Sequence, residues 1–186
     1  MHNGHVDVAA PRNRHGEFSR KPRIGFAVLA LCGVFISSLF SGNATAGEMN
    51  LLVNGKAVHI NTPAGKNLNE KNWGLGFQYD GGLVNKKWIP FATASGFVDS
   101  NKNPSYYAGG GVLRRFQGDK LHFDIGAVGF VMTRKNFKHD RPFLGVLPAF
   151  SVGGERFAVN MTFIPKVEPK AVPLVFFQLK INLGSF

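Results

Sequence analysis

Cysteine is nearly absent from this sequence of 186 residues, and its single copy, Cys32, lies in an apolar run near the amino terminus. If export removes that run, the remaining chain has no cysteine. Disulfides, thiolate catalysis and cysteine metal sites are then excluded. Cys32 is also a poor site for lipid attachment, because Leu31 precedes it where a small residue is expected.

Long apolar runs are equally scarce. The run from Ile24 to Phe40 is shorter than the roughly 20 residues of a membrane-spanning helix. It follows a basic stretch and precedes Ala44-Thr45-Ala46, a small-x-small sequence typical of signal peptidase sites. We therefore predict a signal peptide over residues 1–46, cleaved after Ala46, with an uncleaved anchor as the alternative.

Acidic residues are few, 11 against 22 basic ones. The 140 residues after position 46 keep 17 of the basic and nine of the acidic residues, hence a net charge of +8. This length suits one domain, residues 47–186. Recognition motifs for nucleic acid are absent, so the positive charge favours anionic lipid as the partner of an exported protein.

No segment reads as a long helix. Instead, eight short stretches alternate apolar with small or polar residues, which predicts strands. They are 51–60, 73–79, 88–98, 105–116, 121–133, 143–152, 157–164 and 174–183. A soluble sandwich would also alternate, but an amphipathic last strand followed by the terminal Phe186 is typical of bacterial outer-membrane barrels. The predicted fold is therefore all-β, an eight-stranded antiparallel up-and-down transmembrane barrel in the outer membrane.

The predicted connections differ in length. Residues 117–120 and 153–156 form tight turns, whereas 61–72, 134–142 and 165–173 are longer. Short turns face the periplasm in such barrels and long loops face outward. Eight strands leave room for little besides side chains. The glycines 109–111, 126 and 129 favour either a narrow acyl-chain pocket or close strand packing.

His59 lies near the end of the first predicted strand, and Asp99 with Ser100 follows the third, so all three reach the outer rim. Strands about 4.8 Å apart place them on the order of 10 Å from one another, around a headgroup. Histidine and serine are the residue types that acyl transfer between oxygen atoms uses. The alternative is that these three are ordinary solvated residues at strand ends and turns, since such residues would show the same spacing. His122 and Asp124, at the opposite end, are expected to pack inside the barrel.

Several short motifs are similar to the outer-membrane lipid A palmitoyltransferases, the PagP-like family. They include Val58-His59, Asn69-Glu70, Phe97-Val98-Asp99-Ser100 and the glycines that follow Ala108. Two further matches are the segments 147–153 and 162–165. The resemblance implies an eight-stranded barrel that moves a palmitoyl chain from a phospholipid to lipid A. It also implies that His59, Asp99 and Ser100 are its catalytic residues.

The same resemblance implies further roles. Gly111 corresponds to the glycine that floors the acyl-chain pocket, and Pro148 and Pro165 to prolines that open the strand ladder for lateral lipid access. Two features depart from the family. Only residues 47–50 precede the first strand where the family has an amphipathic helix, and Asn72 replaces a second proline. The outer connections are rich in lysine and arginine, and we expect Arg134 and Lys135 to contact lipid A phosphates.

Three functions remain open from the sequence. The first is a palmitoyl-type acyltransferase with a phospholipid donor and lipid A acceptor, acting as a monomer with no metal or other cofactor. The second is a catalytically silent barrel that binds or stabilises lipopolysaccharide. The third is a lipid A deacylase or phospholipase, which would use water in place of a sugar hydroxyl.

Overall fold

The computed structural model describes residues 47–135, 137, 140–166 and 171–185; the predicted signal peptide and Phe186 lie outside these ranges. Eight antiparallel strands close into one barrel in sequence order. They are β1 (Glu48–His59), β2 (Lys71–Asp80), β3 (Trp88–Val98), β4 (Pro104–Gln117), β5 (His122–Arg134), β6 (Phe143–Gly153), β7 (Phe157–Ile164) and β8 (Leu174–Ser185). The predicted eight-stranded barrel is confirmed.

Alternation along each strand separates an outer from an inner face. In β5, Phe123 and Ile125 are exposed, whereas His122 and Asp124 are buried. In β8, Leu179 is exposed and its neighbours Gln178 and Lys180 are buried inside. Successive residues of a strand point to opposite faces of the sheet. A sequence that alternates polar and apolar residues therefore gives a polar inner face and an apolar outer face.

The outer surface is apolar over all sides of the barrel. Its most exposed large side chains belong to the outward-facing residues Trp73, Leu75, Tyr106, Leu144 and Val146, with Leu144 at 84% exposure. A continuous apolar exterior is the surface that a hydrocarbon environment requires. Among the described residues, no helix is long and apolar enough to cross a membrane.

The barrel closes through β1 and β8. Their register shifts between Met49, opposite Gly184, and Asn50, opposite Asn182, so Leu183 is an extra residue in β8. Such a bulge shifts the inward and outward alternation of β8 by one residue. The strand continues beyond it to Ser185.

A polar network lies in the interior near the short turns, on the side of β1, β2 and β8. Asp80 is its centre: Oδ2 accepts from Lys180 Nζ at 2.9 Å, and Oδ1 accepts from Gln78 Nε2 at 2.6 Å. Asn50 Nδ2 donates to the same carboxylate at 3.2 Å. A second group joins Asn54 to Ser95 Oγ at 2.7 Å. These side chains from β1, β2, β3 and β8 bind the strands together across the lumen.

Close packing of β4 against β5 explains several glycines. A Cβ atom built on Gly109 or Gly126 would lie about 2 Å from a carbonyl oxygen of the neighbouring strand, 2.2 Å from Gly129 O and 1.9 Å from Val112 O respectively. No side chain fits at such a distance. Of the two readings of these glycines, close strand packing therefore applies at both positions.

The ladder between β6 and β7 is short. Its pairs run from Gly153 with Ala158 to Ala149 with Thr162. Beyond this point β6 continues over six residues, Phe143 to Pro148, which pair with β5 on their other side. The last residues of β7 pair with β8. Within residues 143–164, all of which the structure describes, the two strands therefore separate towards the end of the barrel that carries the long loops.

Candidate active site

His59 and Ser100 meet at the end of the barrel that carries the long loops. Nε2 of His59 lies 3.0 Å from Oγ of Ser100, although 41 residues separate them in sequence. The His59 side chain is only 3% exposed and Ser100 is buried. The sequence placed these residues around a headgroup, whereas the structure brings them into direct hydrogen-bond contact. A histidine nitrogen at this distance can take or return a proton at the serine oxygen.

Asp99 organises the turn that presents Ser100. Its Oδ1 accepts from the backbone amides of Asn101 at 2.8 Å and Asn103 at 2.9 Å. Its Oδ2 accepts from Arg134 Nε at 2.7 Å. Asp99 is 2% exposed, so both carboxylate oxygens are held by partners inside the protein. The carboxylate thus fixes the loop after β3 and ties it to the end of β5.

Asn69 and Glu70 complete the site and were not assigned a role from the sequence. The backbone amide of Asn69 donates to Ser100 O at 2.9 Å, and its Nδ2 donates to Asp99 O at 3.1 Å. Glu70 Oε1 lies 3.7 Å from His59 Nδ1. β2 lies between β1 and β3, so the residues before it necessarily pass between His59 and Ser100. The predicted order of β1 to β3 is enough to place these residues beside the pair.

The structure places Arg134 and Lys135 at the same rim. Arg134 ends β5 and its side chain is 30% exposed, with Nε directed at Asp99. Lys135 follows it and is exposed. Arg134 is therefore part of the hydrogen-bonded framework around Asp99 as well as a cationic group at the rim, a role that its sequence position did not indicate.

An apolar region lies beneath the rim. Phe97 packs against Phe176 with the rings tilted and their centroids 5.2 Å apart, and it meets Tyr107 edge-on at 6.3 Å. The Tyr107 hydroxyl accepts from Gln178 Nε2 at 2.9 Å, which connects this wall to the polar side chains of the interior. These inward side chains of β3, β4 and β8 give the upper interior an apolar, aromatic wall.

Gly111 lies lower on β4, opposite Phe91 of β3. A Cβ at Gly111 would lie 2.0 Å from Ala127 O and 3.0 Å from Phe91 Cε1. Phe91 belongs to a buried cluster with Ile89, Leu113 and Ala149. The glycine therefore faces the interior beside this apolar cluster, and any larger residue there meets both a ring and the backbone of β5.

Pro148 lies inside β6, one residue before the last pair that joins β6 to β7. Pro165 directly follows β7 and is exposed. Proline has no amide hydrogen and therefore cannot donate to a ladder. Both prolines flank the place where β6 and β7 separate.

Asn72, which replaces a second proline of the family pattern, closes the corresponding position between β2 and β3. Its Nδ2 donates to Val98 O at 2.7 Å, and the residue is 1% exposed. The backbone pairs of these strands end one step lower, at Gly74 with Phe97. The Asn72 side chain thus joins β2 to β3 by a hydrogen bond beyond the last backbone pair of these strands.

His122 and Asp124 lie at the other end of the barrel, where Arg115 joins them. Two nitrogens of Arg115 donate to the Asp124 carboxylate, each at 3.0 Å, and His122 Nε2 lies 3.5 Å from Asp124 Oδ2. Asp124 is fully buried. The expected interior packing is what the structure shows, far from His59 and Ser100. Among the described residues, no group of three or more histidine, cysteine or acidic side chains could hold a metal ion.

The fold and the exterior together define a small outer-membrane β-barrel with a histidine–serine pair at one rim. The sequence matches, over residues 44–179, the family described as "Antimicrobial peptide resistance and lipid A acylation protein PagP". The match spans more than half of the chain, and the chain belongs to this family. Its place in the cell is accordingly the outer membrane.

Two solved structures of the Yersinia pestis protein Ail are similar to this barrel at low identity. The crystal structure of Ail, the attachment invasion locus protein, is 10% identical, with a TM-score of 0.43, covering 75% of this chain and 98% of that one. The backbone structure of Ail in a phospholipid bilayer nanodisc is 11% identical, with a TM-score of 0.37, covering 74% and 99%. Comparison with curated protein sequences finds no match.

Proposed function

We propose that this protein transfers a palmitoyl-type acyl chain from a phospholipid to lipid A. The observation that carries the proposal is the 3.0 Å contact between His59 Nε2 and Ser100 Oγ at the rim of a barrel whose adjoining interior is apolar. The contact supplies proton transfer, and the interior supplies a place for a hydrocarbon chain. Membership of a lipid A acylation family supports the choice of acceptor.

In the proposed reaction, a hydroxyl of lipid A gives its proton to His59 Nε2 while its oxygen attacks the ester carbonyl of the phospholipid. The bond between the acyl carbon and the glycerol oxygen then breaks. The departing oxygen takes the proton back from His59, which releases a lysophospholipid and regenerates the neutral ring. Ser100 Oγ, held at Nε2, polarises the reacting groups.

Asp99 acts in this scheme by positioning Ser100, because both of its oxygens are hydrogen-bonded to loop amides and to Arg134. Arg134 and Lys135 present positive charge at the rim, where we expect them to meet lipid A phosphates. Each exposed cation near a charged lipid surface contributes on the order of 1 kcal/mol. No metal or other cofactor is required, and a monomer contains every group named.

The acyl chain would lie on the side of the lumen lined by β3 to β6, where Phe91 packs with Leu113 and Ala149, and Gly111 and Phe91 would form its floor. Seven residue steps of β3 separate Phe91 from Val98. They correspond to about 23 Å of strand at ~3.3 Å per residue, and to about 18 Å along the barrel axis at a tilt of ~40°. One leaflet of a bilayer is about 15 Å deep, so the depth suits a single long chain.

Lipid would reach this space sideways, through the opening between β6 and β7 beside Pro148 and Pro165. The short ladder between these strands supports the proposal. Asn72 closes the equivalent place between β2 and β3 with a hydrogen bond. We therefore assign lateral access to the β6–β7 side.

Lipid A from whole cells tests the proposal. The protein is expressed with its amino-terminal segment in a host that lacks lipid A palmitoylation, beside His59→Ala and Ser100→Ala, and lipid A is analysed by mass spectrometry. One added long acyl chain, lost in both variants, supports transfer. Loss of a chain indicates a deacylase, whereas unchanged lipid A with a correctly folded barrel, shown by heat-modifiable gel mobility, indicates a silent lipopolysaccharide-binding barrel.

A further inference from the structure

The two ring nitrogens of His59 have different surroundings. Nε2 contacts Ser100 Oγ at 3.0 Å. Nδ1 is buried and makes no hydrogen bond within the part of the chain that the structure describes. The acidic group beside it is Glu70, whose Oε1 lies 3.7 Å away.

The proton on this ring has to sit on Nδ1 if Nε2 is to act as a base. A neutral imidazole has one N–H and one lone pair, and the group that faces the N–H decides which nitrogen carries it. A buried N–H without an acceptor is unfavourable. A carboxylate beside Nδ1 favours the Nδ1–H form and leaves the lone pair of Nε2 directed at Ser100.

The backbone holds Glu70 in this place. Its carbonyl oxygen accepts from the amide of Ala57 at 2.9 Å, and its Oε1 accepts from the amide of His59 at 3.5 Å. On the other side, the amide of Asn69 donates to Ser100 O. The segment before β2 therefore connects directly to both members of the pair. At 3.7 Å the carboxylate is slightly beyond hydrogen-bond distance from Nδ1, so a movement of less than 1 Å forms the bond.

We propose that Glu70 is a positioning residue for the acyl transfer. It holds His59 as the Nδ1–H tautomer, and it stabilises the positive charge that appears on the ring when Nε2 takes the proton of the acceptor hydroxyl. This inference rests on the proposed function for its rate effects, whereas the tautomer of His59 is a property of the protein alone.

The first test is kinetic. Glu70→Ala and Glu70→Gln are purified from outer membranes and assayed with a labelled phospholipid donor and lipid A. Removing the carboxylate that orients a metal-binding histidine costs about 10- to 100-fold in activity or metal affinity, and we expect kcat to fall by a similar factor in Glu70→Ala with unchanged KM. Glu70→Gln keeps an acceptor for Nδ1–H but has no charge, so its kcat should lie between those of the wild type and Glu70→Ala.

Lys56 offers the matched control. Its Nζ lies 3.9 Å from Glu70 Oε2, and the side chains of Lys56 and Glu70 are 62% and 43% exposed. Lys56→Ala removes the other partner of Glu70 without touching His59, and should leave kcat within two-fold of the wild type. A Glu70→Ala enzyme with unchanged kcat, or one whose loss lies entirely in KM, overturns the proposal.

The second test does not depend on activity. Nitrogen-15 spectra of labelled histidine report which ring nitrogen is protonated, and the His59 signals are assigned by their loss in His59→Asn. We expect Nδ1–H in the wild type and a mixture of tautomers in Glu70→Ala. Identical spectra overturn the role of Glu70. If the wild type transfers no acyl chain, the proposed function fails, and these spectra still decide what Glu70 does to His59.

Discussion

Nε of Arg134 donates to Oδ2 of Asp99 at 2.7 Å and so ties the end of β5 to the turn that carries Ser100. Charge-assisted hydrogen bonds of this kind contribute about 1.5–3 kcal/mol. If that free energy holds Ser100 against His59, Arg134→Ala lowers kcat by roughly 10- to 150-fold, since each 1.36 kcal/mol is a factor of ten in rate. The measurement is initial-rate kinetics on the purified barrel.

Two variants separate this role from phosphate binding. Arg134→Lys keeps the charge but not the planar Nε donor, so it should resemble Arg134→Ala in kcat. Lys135→Ala removes the neighbouring exposed cation and should raise KM for lipid A by no more than a few-fold. An Arg134→Lys enzyme with full kcat would show that only the positive charge at this position matters.

Substitution of Gly111 should shorten the transferred chain. A Cβ there meets Phe91 at 3.0 Å and Ala127 O at 2.0 Å, so Gly111→Ala both fills the floor of the pocket and displaces the β5 backbone. We expect lipid A to gain a shorter acyl group, together with a lower unfolding temperature. Mass spectrometry of lipid A and heat-modifiable mobility measure the two effects.

Gly129→Ala is the control for that variant. Gly129 lies on the outer face of β5, and the nearest atom to an added Cβ is Gly110 O at 3.8 Å, an ordinary contact. Chain length and stability should both stay at their wild-type values. If Gly111→Ala transfers a chain of the same length as Gly129→Ala does, Gly111 does not form the floor of the pocket.

Pro148→Ala should slow transfer without unfolding the barrel. Alanine restores an amide hydrogen at the place where the ladder between β6 and β7 ends, so these strands can pair further towards the rim. We expect a rate several-fold below wild type with phospholipid presented in vesicles, and a smaller difference in detergent micelles that expose the donor directly. Equal slowing in both would argue against lateral access beside Pro148.

The buried pair Lys180 and Asp80 predicts a stability effect that is independent of catalysis. Both side chains are 6% exposed and lie 2.9 Å apart. Lys180→Met leaves a buried carboxylate without its cation, which costs about 3–5 kcal/mol. Urea unfolding should show this loss of stability, and the double variant Lys180→Met, Asp80→Asn should recover part of it. A Lys180→Met protein as stable as the wild type would show that the pair does not stabilise the barrel.

Alternation alone was sufficient to predict the eight strands, because a lipid-facing strand must be apolar on one side, as Phe123 and Ile125 are beside His122 and Asp124. It also predicted that His59 and Ser100 share a rim. The sequence did not indicate their direct contact, the bond from Arg134 to Asp99 or the position of Glu70. These depend on how far each loop folds inward over the barrel end, which no local periodicity encodes.

Acyl transfer by the purified protein is the most direct test of the account. The barrel is mixed with lipid A and a phospholipid that carries an isotope-labelled palmitoyl chain, and the products are resolved by mass spectrometry. We expect labelled palmitoyl on lipid A and one equivalent of lysophospholipid, both lost in His59→Ala and Ser100→Ala. Labelled lipid A formed at an undiminished rate by a folded His59→Ala protein would contradict it.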